Sequence, residues 1–192
     1  MQNYSKIFKI FVTLFAIGFI MWLGGTVLRT SIGYDLFVPG SDFVLKPEYS
    51  NEIRMYNVYI YVITALYTGV SYGIAAISAV VLAFKTKKEF KRRGWIFMAF
   101  ILFIVTIPIQ VYSIYMDILL AKEVYINGVR DFFADIIQQN YIARFTLAKY
   151  TTINSISMLA ALTCVLYFIW RPLDRTNDNK TLSQNIEDKK SE

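Results

Sequence analysis

Residues 55–84 read MYNVYIYVITALYTGVSYGIAAISAVVLAF, thirty positions without a charge, and residues 85–93 behind them read KTKKEFKRR. A helix rises about 1.5 Å per residue, so about 20 apolar residues cross a hydrocarbon core about 30 Å thick. This run is long enough to span a bilayer and to tilt or project beyond it. Six Lys and Arg side chains within the next nine residues end it abruptly.

Three further uncharged runs lie outward from it: 10–28 between Lys9 and Arg29, 94–116 between Arg93 and Asp117, and 150–170 between Lys149 and Arg171. The sequence therefore predicts an all-α integral membrane protein, with four transmembrane helices in an antiparallel bundle making up a domain over residues 1–170. Lys6 and Lys9 ahead of the first run suggest a signal peptide. That run exceeds the usual apolar region of one, however, and no clear small-x-small cleavage site follows, so it reads as a retained anchor. A mean hydropathy of +0.43 lies outside the normal range of a soluble domain of this length.

Lys and Arg set the orientation. Residues 1–9, the loop 85–93 and the segment after Trp170 carry thirteen, against seven in the two longer connections. The positive-inside rule puts both termini and the basic loop in the cytoplasm. Tyr56, Tyr59, Tyr61, Tyr112, Tyr115 and Tyr150 then form an outer aromatic belt, with Trp95 and Trp170 at the inner interface. Usage rich in Ile, Tyr, Asn and Lys resembles that of an AT-rich bacterium, which points to the plasma (bacterial inner) membrane. The tail 171–192, with five basic and five acidic residues and few apolar ones, is expected to be disordered.

The outer connections hold more than linkers. In the first, Pro39-Gly40 marks a tight turn and Pro47 a second break. In the second, an amphipathic helix is expected over about 128–147, with Asn127 as its N-cap. Val129, Phe132, Phe133, Ile136, Ile137, Tyr141 and Phe145 take one face, and Arg130, Asp131, Asp135, Gln138, Gln139 and Arg144 the other. The apolar face either lies on headgroups and caps its own bundle, or presents Phe132, Phe133, Ile136, Ile137 and Tyr141 to a partner.

Polar residues inside the spans follow helical seams. Asn57, Tyr61, Thr64, Thr68, Ser71, Ala75 and Ser78 share one face of the second span, with Gly69 and Gly73 beside it as a small-xxx-small pair. Thr106, Gln110, Ser113 and Asp117 share a face of the third; Tyr150, Asn154, Ser157, Ala161 and Cys164 one of the fourth; and Gly18, Trp22, Gly25 and Arg29 one of the first. Such groups serve as interhelical hydrogen-bond glue, or else Thr68, Gln110, Ser113, Asn154 and Asp117 line a vestibule open to the outside for a small polar ligand or a lipid headgroup.

The single Cys and the absence of His exclude paired-cysteine redox chemistry, bis-His haem, His-rich zinc sites and Ser-His-Asp triads. Asp117 is the lone carboxylate near the seams, and general acid–base work generally needs a matched pair, so no enzyme, metal or cofactor is expected. The basic residues form no stripe with aromatics, which argues against nucleic acid. Tetraspanins resemble the chain only in a larger second outer loop; residues 117–149 lack their Cys-Cys-Gly motif, and residues 29–54 lack the Trp and Cys pair of claudin-like proteins. The expected role is a non-catalytic accessory or scaffold subunit of a membrane protein complex. Its expected partners are the lipid bilayer and other membrane subunits or copies of itself. The alternative is a small-solute or ion channel or transporter with an outward-facing polar vestibule.

Overall fold

A computed structural model describes residues 6–87, 89, 90 and 93–170; the segment 171–192, expected to be disordered, lies outside the described residues. The elements in chain order are α1 (Lys6–Tyr34), α2 (Asn51–Thr86), α3 (Gly94–Tyr125), the short α4 (Asp135–Ile137), a π-helical turn (Gln138–Ile142), α5 (Ala143–Thr146) and α6 (Ala148–Trp170). No strand occurs among the described residues. Four helices, α1, α2, α3 and α6, are long and apolar enough to cross a membrane.

All four helices outrun the uncharged stretches that announced them, and three of them, α1, α2 and α3, extend by four residues or more at the end where the two longer connections lie. α1 continues past Arg29 to Tyr34, α2 starts at Asn51, and α3 runs through Asp117 to Tyr125. Charge does not end a helix, and one side of these extra turns packs against the two connections while Ile53, Ile118 and Tyr125 stay exposed. Ser50 starts α2, its hydroxyl accepting the Ile53 N–H at 3.4 Å. Together with the two connections the extra turns build a cap around Leu36, Phe37, Val58, Leu120, Phe132 and Ile137.

Within the cap the first connection folds back on itself. The Val38 carbonyl accepts the Ser41 N–H at 3.2 Å across Pro39 and Gly40, with Gly40 at φ 76°, the left-handed geometry that a type II turn requires at that position. Residues 126–134 of the second connection are not helical. The expected helix over 128–147 begins at Asp135 instead. Asn127 donates to the Glu123 carboxylate at 2.8 Å, finishing α3 rather than starting a new helix. Asn51 holds the non-helical stretch in place, donating to the Arg130 carbonyl at 3.1 Å and accepting the Phe132 N–H at 2.9 Å.

A second apolar core lies deeper, around Phe19, Trp22, Tyr72, Ala75, Phe103, Ala161 and Cys164. Between the two cores sits a polar layer of Arg29, Tyr61, Thr68, Gln110, Asp117 and Arg144. The helices pack as a row, α1 along α2, α2 against α3 and α3 along α6. Contacts run in opposing register in each pair. Along α1 and α2, Gly18 meets Ala75, Gly25 meets Thr68, and Asn57 donates to the Ile32 carbonyl at 2.8 Å. Along α3 and α6, Cys164 meets the Ala99 carbonyl, Gln110 meets Ser157, and Tyr112 meets Tyr150. α1 and α6 are not a packed pair, which leaves a cleft between the ends of the row.

The closest helix approach is not at the small pair read from the second span. A Cβ on Gly73 would meet nothing within 4 Å, and one on Gly69 only the end of Ile114 at 3.6 Å. Spacing identifies a small-residue stripe but not the neighbour it faces, and here the stripe that meets backbone belongs to α1. A Cβ on Gly18 would sit 2.8 Å from the Ser71 carbonyl oxygen and 3.0 Å from the Ala75 nitrogen, atoms that a side-chain rotation cannot move aside. Gly18→Leu is therefore expected to force α1 off α2 and to destabilise the fold by about 1–3 kcal/mol. Gly73→Leu, facing open space, should be nearly neutral. Thermal unfolding in detergent checks the pair, and equal effects would refute the assignment.

Candidate functional site

The site is built on one carboxylate. Asp117, the first residue of the extended part of α3, has a side chain only 9% exposed, and two arginines meet the same oxygen, Oδ1. Arg29 of α1 reaches it with Nη2 at 2.7 Å, donates from Nη1 to the Thr68 hydroxyl at 3.3 Å, and lies 4.4 Å above the Tyr61 ring. Arg144 of α5 donates from Nη1 to Asp117 and to the Tyr61 hydroxyl, the latter at 3.3 Å. Both guanidinium groups are nearly as buried as the carboxylate, with side chains 13% and 12% exposed.

Two buried cations thus share one anion. Arginine does not lose its proton in proteins, so the cluster keeps a net positive charge. Burial opposes the charge on Arg144, but Tyr61 and Asp117 outweigh it and hold the group above its ordinary value. Arg29 Nε and Arg144 Nη2 are buried without a hydrogen-bond partner among the described residues. The cap holds Arg144 in place through Tyr141 one turn earlier, whose hydroxyl donates to Asn57 Oδ1. Burial, ahead of the nearby Tyr61, pushes that hydroxyl well above its usual range, so it remains a donor.

One layer deeper, Trp22 Nε1 donates to Gln110 Oε1 at 3.2 Å and Gln110 Nε2 donates to the Ser157 hydroxyl at 3.0 Å, tying α1, α3 and α6 together. Above this bridge and beside the arginines lies a cavity of ≈ 180 Å³ in the cleft between α1 and α6. Arg29, Arg144, Gln110, Ser113 and Asn154 are among its lining residues, and Tyr112 and Tyr150, with stacked rings 6.3 Å apart, stand on the α3 and α6 side. Comparison with protein-family models, curated proteins and solved structures returns no match. What the site does must follow from its own geometry.

The structure brings together Gln110, Ser113 and Asn154 on the cavity wall. Thr68 and Asp117 are not on that wall; they stand behind it and position Arg29 and Arg144. The five residues of the outer segment divide differently. Phe132, Ile137 and Tyr141 are fully buried in the cap, Ile136 is half-buried against it, and Phe133 is exposed, so this face covers the chain's own helices. Arg29 marked the end of a seam in the sequence, whereas Arg144 lay on the face taken as solvent-directed. Its inward turn is the residue that sequence reasoning missed.

Among the described residues no group of three His, Cys, Asp or Glu could hold a metal. The hydroxyls of Ser113 and Ser155 on the wall have no base beside them, because the nearby carboxylate is occupied by two guanidinium groups. The wall offers N–H and O–H donors and a positive charge.

Proposed function

We propose that the chain is a four-span integral membrane protein, an antiparallel bundle with its capped end outward and its basic loop and termini in the cytoplasm, that holds a small polar ligand without catalysis. It serves in this as an accessory subunit of a membrane complex. The observation that carries the reading is the cavity walled by buried Arg29 and Arg144 over one shared carboxylate. Opposing contact registers in the three helix pairs support the antiparallel arrangement, and the Lys and Arg bias supports the orientation.

Binding is favoured over conduction by what lies beneath the cavity. Phe19, Tyr72, Phe103, Ala161 and Cys164 fill the bundle toward the basic end, so the polar layer ends in a packed apolar core. Purified protein in liposomes is expected to pass neither small ions nor solutes; measurable flux would favour a transporter. Orientation is read by labelling: a cysteine at Glu48 should react with an impermeant maleimide in intact cells, and one at Lys87 only after lysis. Purification in mild detergent should bring membrane subunits with it, and an isolated monomer would overturn the accessory role.

The Gln110 bridge gives a smaller effect. Gln110→Leu strands the Trp22 donor and the Ser157 hydroxyl and is expected to cost about 1–2 kcal/mol. Asn154→Leu, on an exposed position of the wall, should leave stability unchanged while reducing ligand binding. Unfolding midpoints of the two variants separate the glue role from the lining role.

A further inference from the structure

We infer that the cavity takes a phosphate group, and that the open cleft between α1 and α6 admits it as the headgroup of a lipid. This rests on the ligand-binding reading above and specifies its chemistry. Charge is the first argument. The carboxylate stands behind the wall while both arginines line it, so the surface that meets a ligand is cationic. An anion beside Arg29 and Arg144 would restore a one-to-one balance in a layer where an uncompensated charge is costly. Each arginine also retains a buried nitrogen without a partner, Nε of Arg29 and Nη2 of Arg144.

Shape is the second. Donors converge from four elements: Arg29 from α1, Ser113 from α3, Arg144 from α5 and Asn154 from α6. Convergence from several sides suits a tetrahedral oxyanion better than a planar carboxylate, and the guanidinium fork matches phosphate oxygens. A volume of ≈ 180 Å³ is about that of six waters in the liquid. It accommodates a phosphate group and is below the size of drug-like pockets.

Access is the third. α1 and α6 flank the cavity without packing on each other; Ile153 is on its wall, and Val27 and Leu28 on α1 and Ile156 on α6, next in sequence to lining residues, are all at least two-fifths exposed. A lipid in the same leaflet can keep its chains along these side chains while its phosphate reaches the arginines. A soluble anion needs no such apolar flank.

The test uses the full chain in a neutral detergent and reads the unfolding midpoint in four additions at matched ionic strength: dihexanoyl phosphatidylglycerol, dihexanoyl glycerol, inorganic phosphate and chloride. The expected result is a rise of several degrees with phosphatidylglycerol and none with dihexanoyl glycerol or chloride. An equal rise with inorganic phosphate alone supports the phosphate site and identifies free phosphate as its occupant, overturning the lipid route. Arg144→Gln, which leaves Arg29 and Asp117 as a neutral pair, should weaken the phosphatidylglycerol response at least tenfold in midpoint concentration, while exposed Arg130→Gln keeps it. If neither phosphate compound raises the midpoint of the wild-type protein, the inference is overturned whether or not Arg144→Gln folds. Maleimide labelling of Ser113→Cys then separates the two failures: a reactive thiol leaves the cavity standing without a phosphate ligand, and an unreactive one removes the cavity as well.

Discussion

Asp117→Asn is expected to lower folding stability by about 3–5 kcal/mol, the cost of leaving buried charge without its partner. Asparagine keeps the size and one acceptor oxygen, so packing is conserved and the effect isolates the charge. Arg29 and Arg144 would then face each other across a neutral amide, with neither able to shed its proton. At roughly 2–4 °C per kcal/mol for a chain of this size, the midpoint should fall by about 6–20 °C. Arg144→Gln provides the contrast, because it reduces three charges to a balanced pair and should cost far less. Asp117→Asn unfolding within two degrees of wild type would show that the carboxylate does not hold the arginines together.

Phe132→Ala should be comparably damaging, at about 3–5 kcal/mol for a fully buried ring that leaves a cavity. Phe132 anchors the non-helical stretch of the cap, where it packs with Leu36, Ile137 and Tyr141 in one apolar cluster. The Arg54 guanidinium lies 5.8 Å from its ring, and its carbonyl accepts the Gln138 side-chain amide at 2.7 Å. Loss of the ring loosens residues 126–147 and with them Arg144, while the deeper core around Trp22 and Phe103 stays packed. Hydrogen exchange should therefore accelerate across 126–147 and not across 99–107. Uniform acceleration, or none, would contradict a cap that holds together on its own core.

The four long helices were legible because each carries an uncharged run long enough to cross a membrane. Their ends were not legible: Lys9, Arg29, Arg54, Lys85, Asp117 and Lys149 all sit inside helices, because a charge ends an apolar run without ending a helix. Tyr61 fitted both the aromatic belt and the inward seam, and its place beneath Arg29 puts it in the seam. Arg144 was misread because of its charge. It stands seven residues after Ile137 and three after Tyr141, spacings that share a helix face, so charge rather than spacing had placed it with the polar residues. The pairing of Arg29 with Asp117 spans 88 positions, which no local pattern displays. Gln110, Ser113 and Asn154 stand on one cavity wall and on the seams read from the sequence, because polar side chains in an apolar run are confined to the face that can satisfy them.

Chain order gives the shared carboxylate a timetable during synthesis. Arg29 emerges first and Asp117 follows 88 residues later, so a neutral pair can form as soon as α3 is in place. Arg144 arrives 27 residues after Asp117, on the segment that closes the cap. The unbalanced cation is thus the last of the three to be installed, on a scaffold already held by Gly18 against α2. When α1 to α3 have been made, this site holds one cation and one anion. The positive site exists only once the second connection has folded over it.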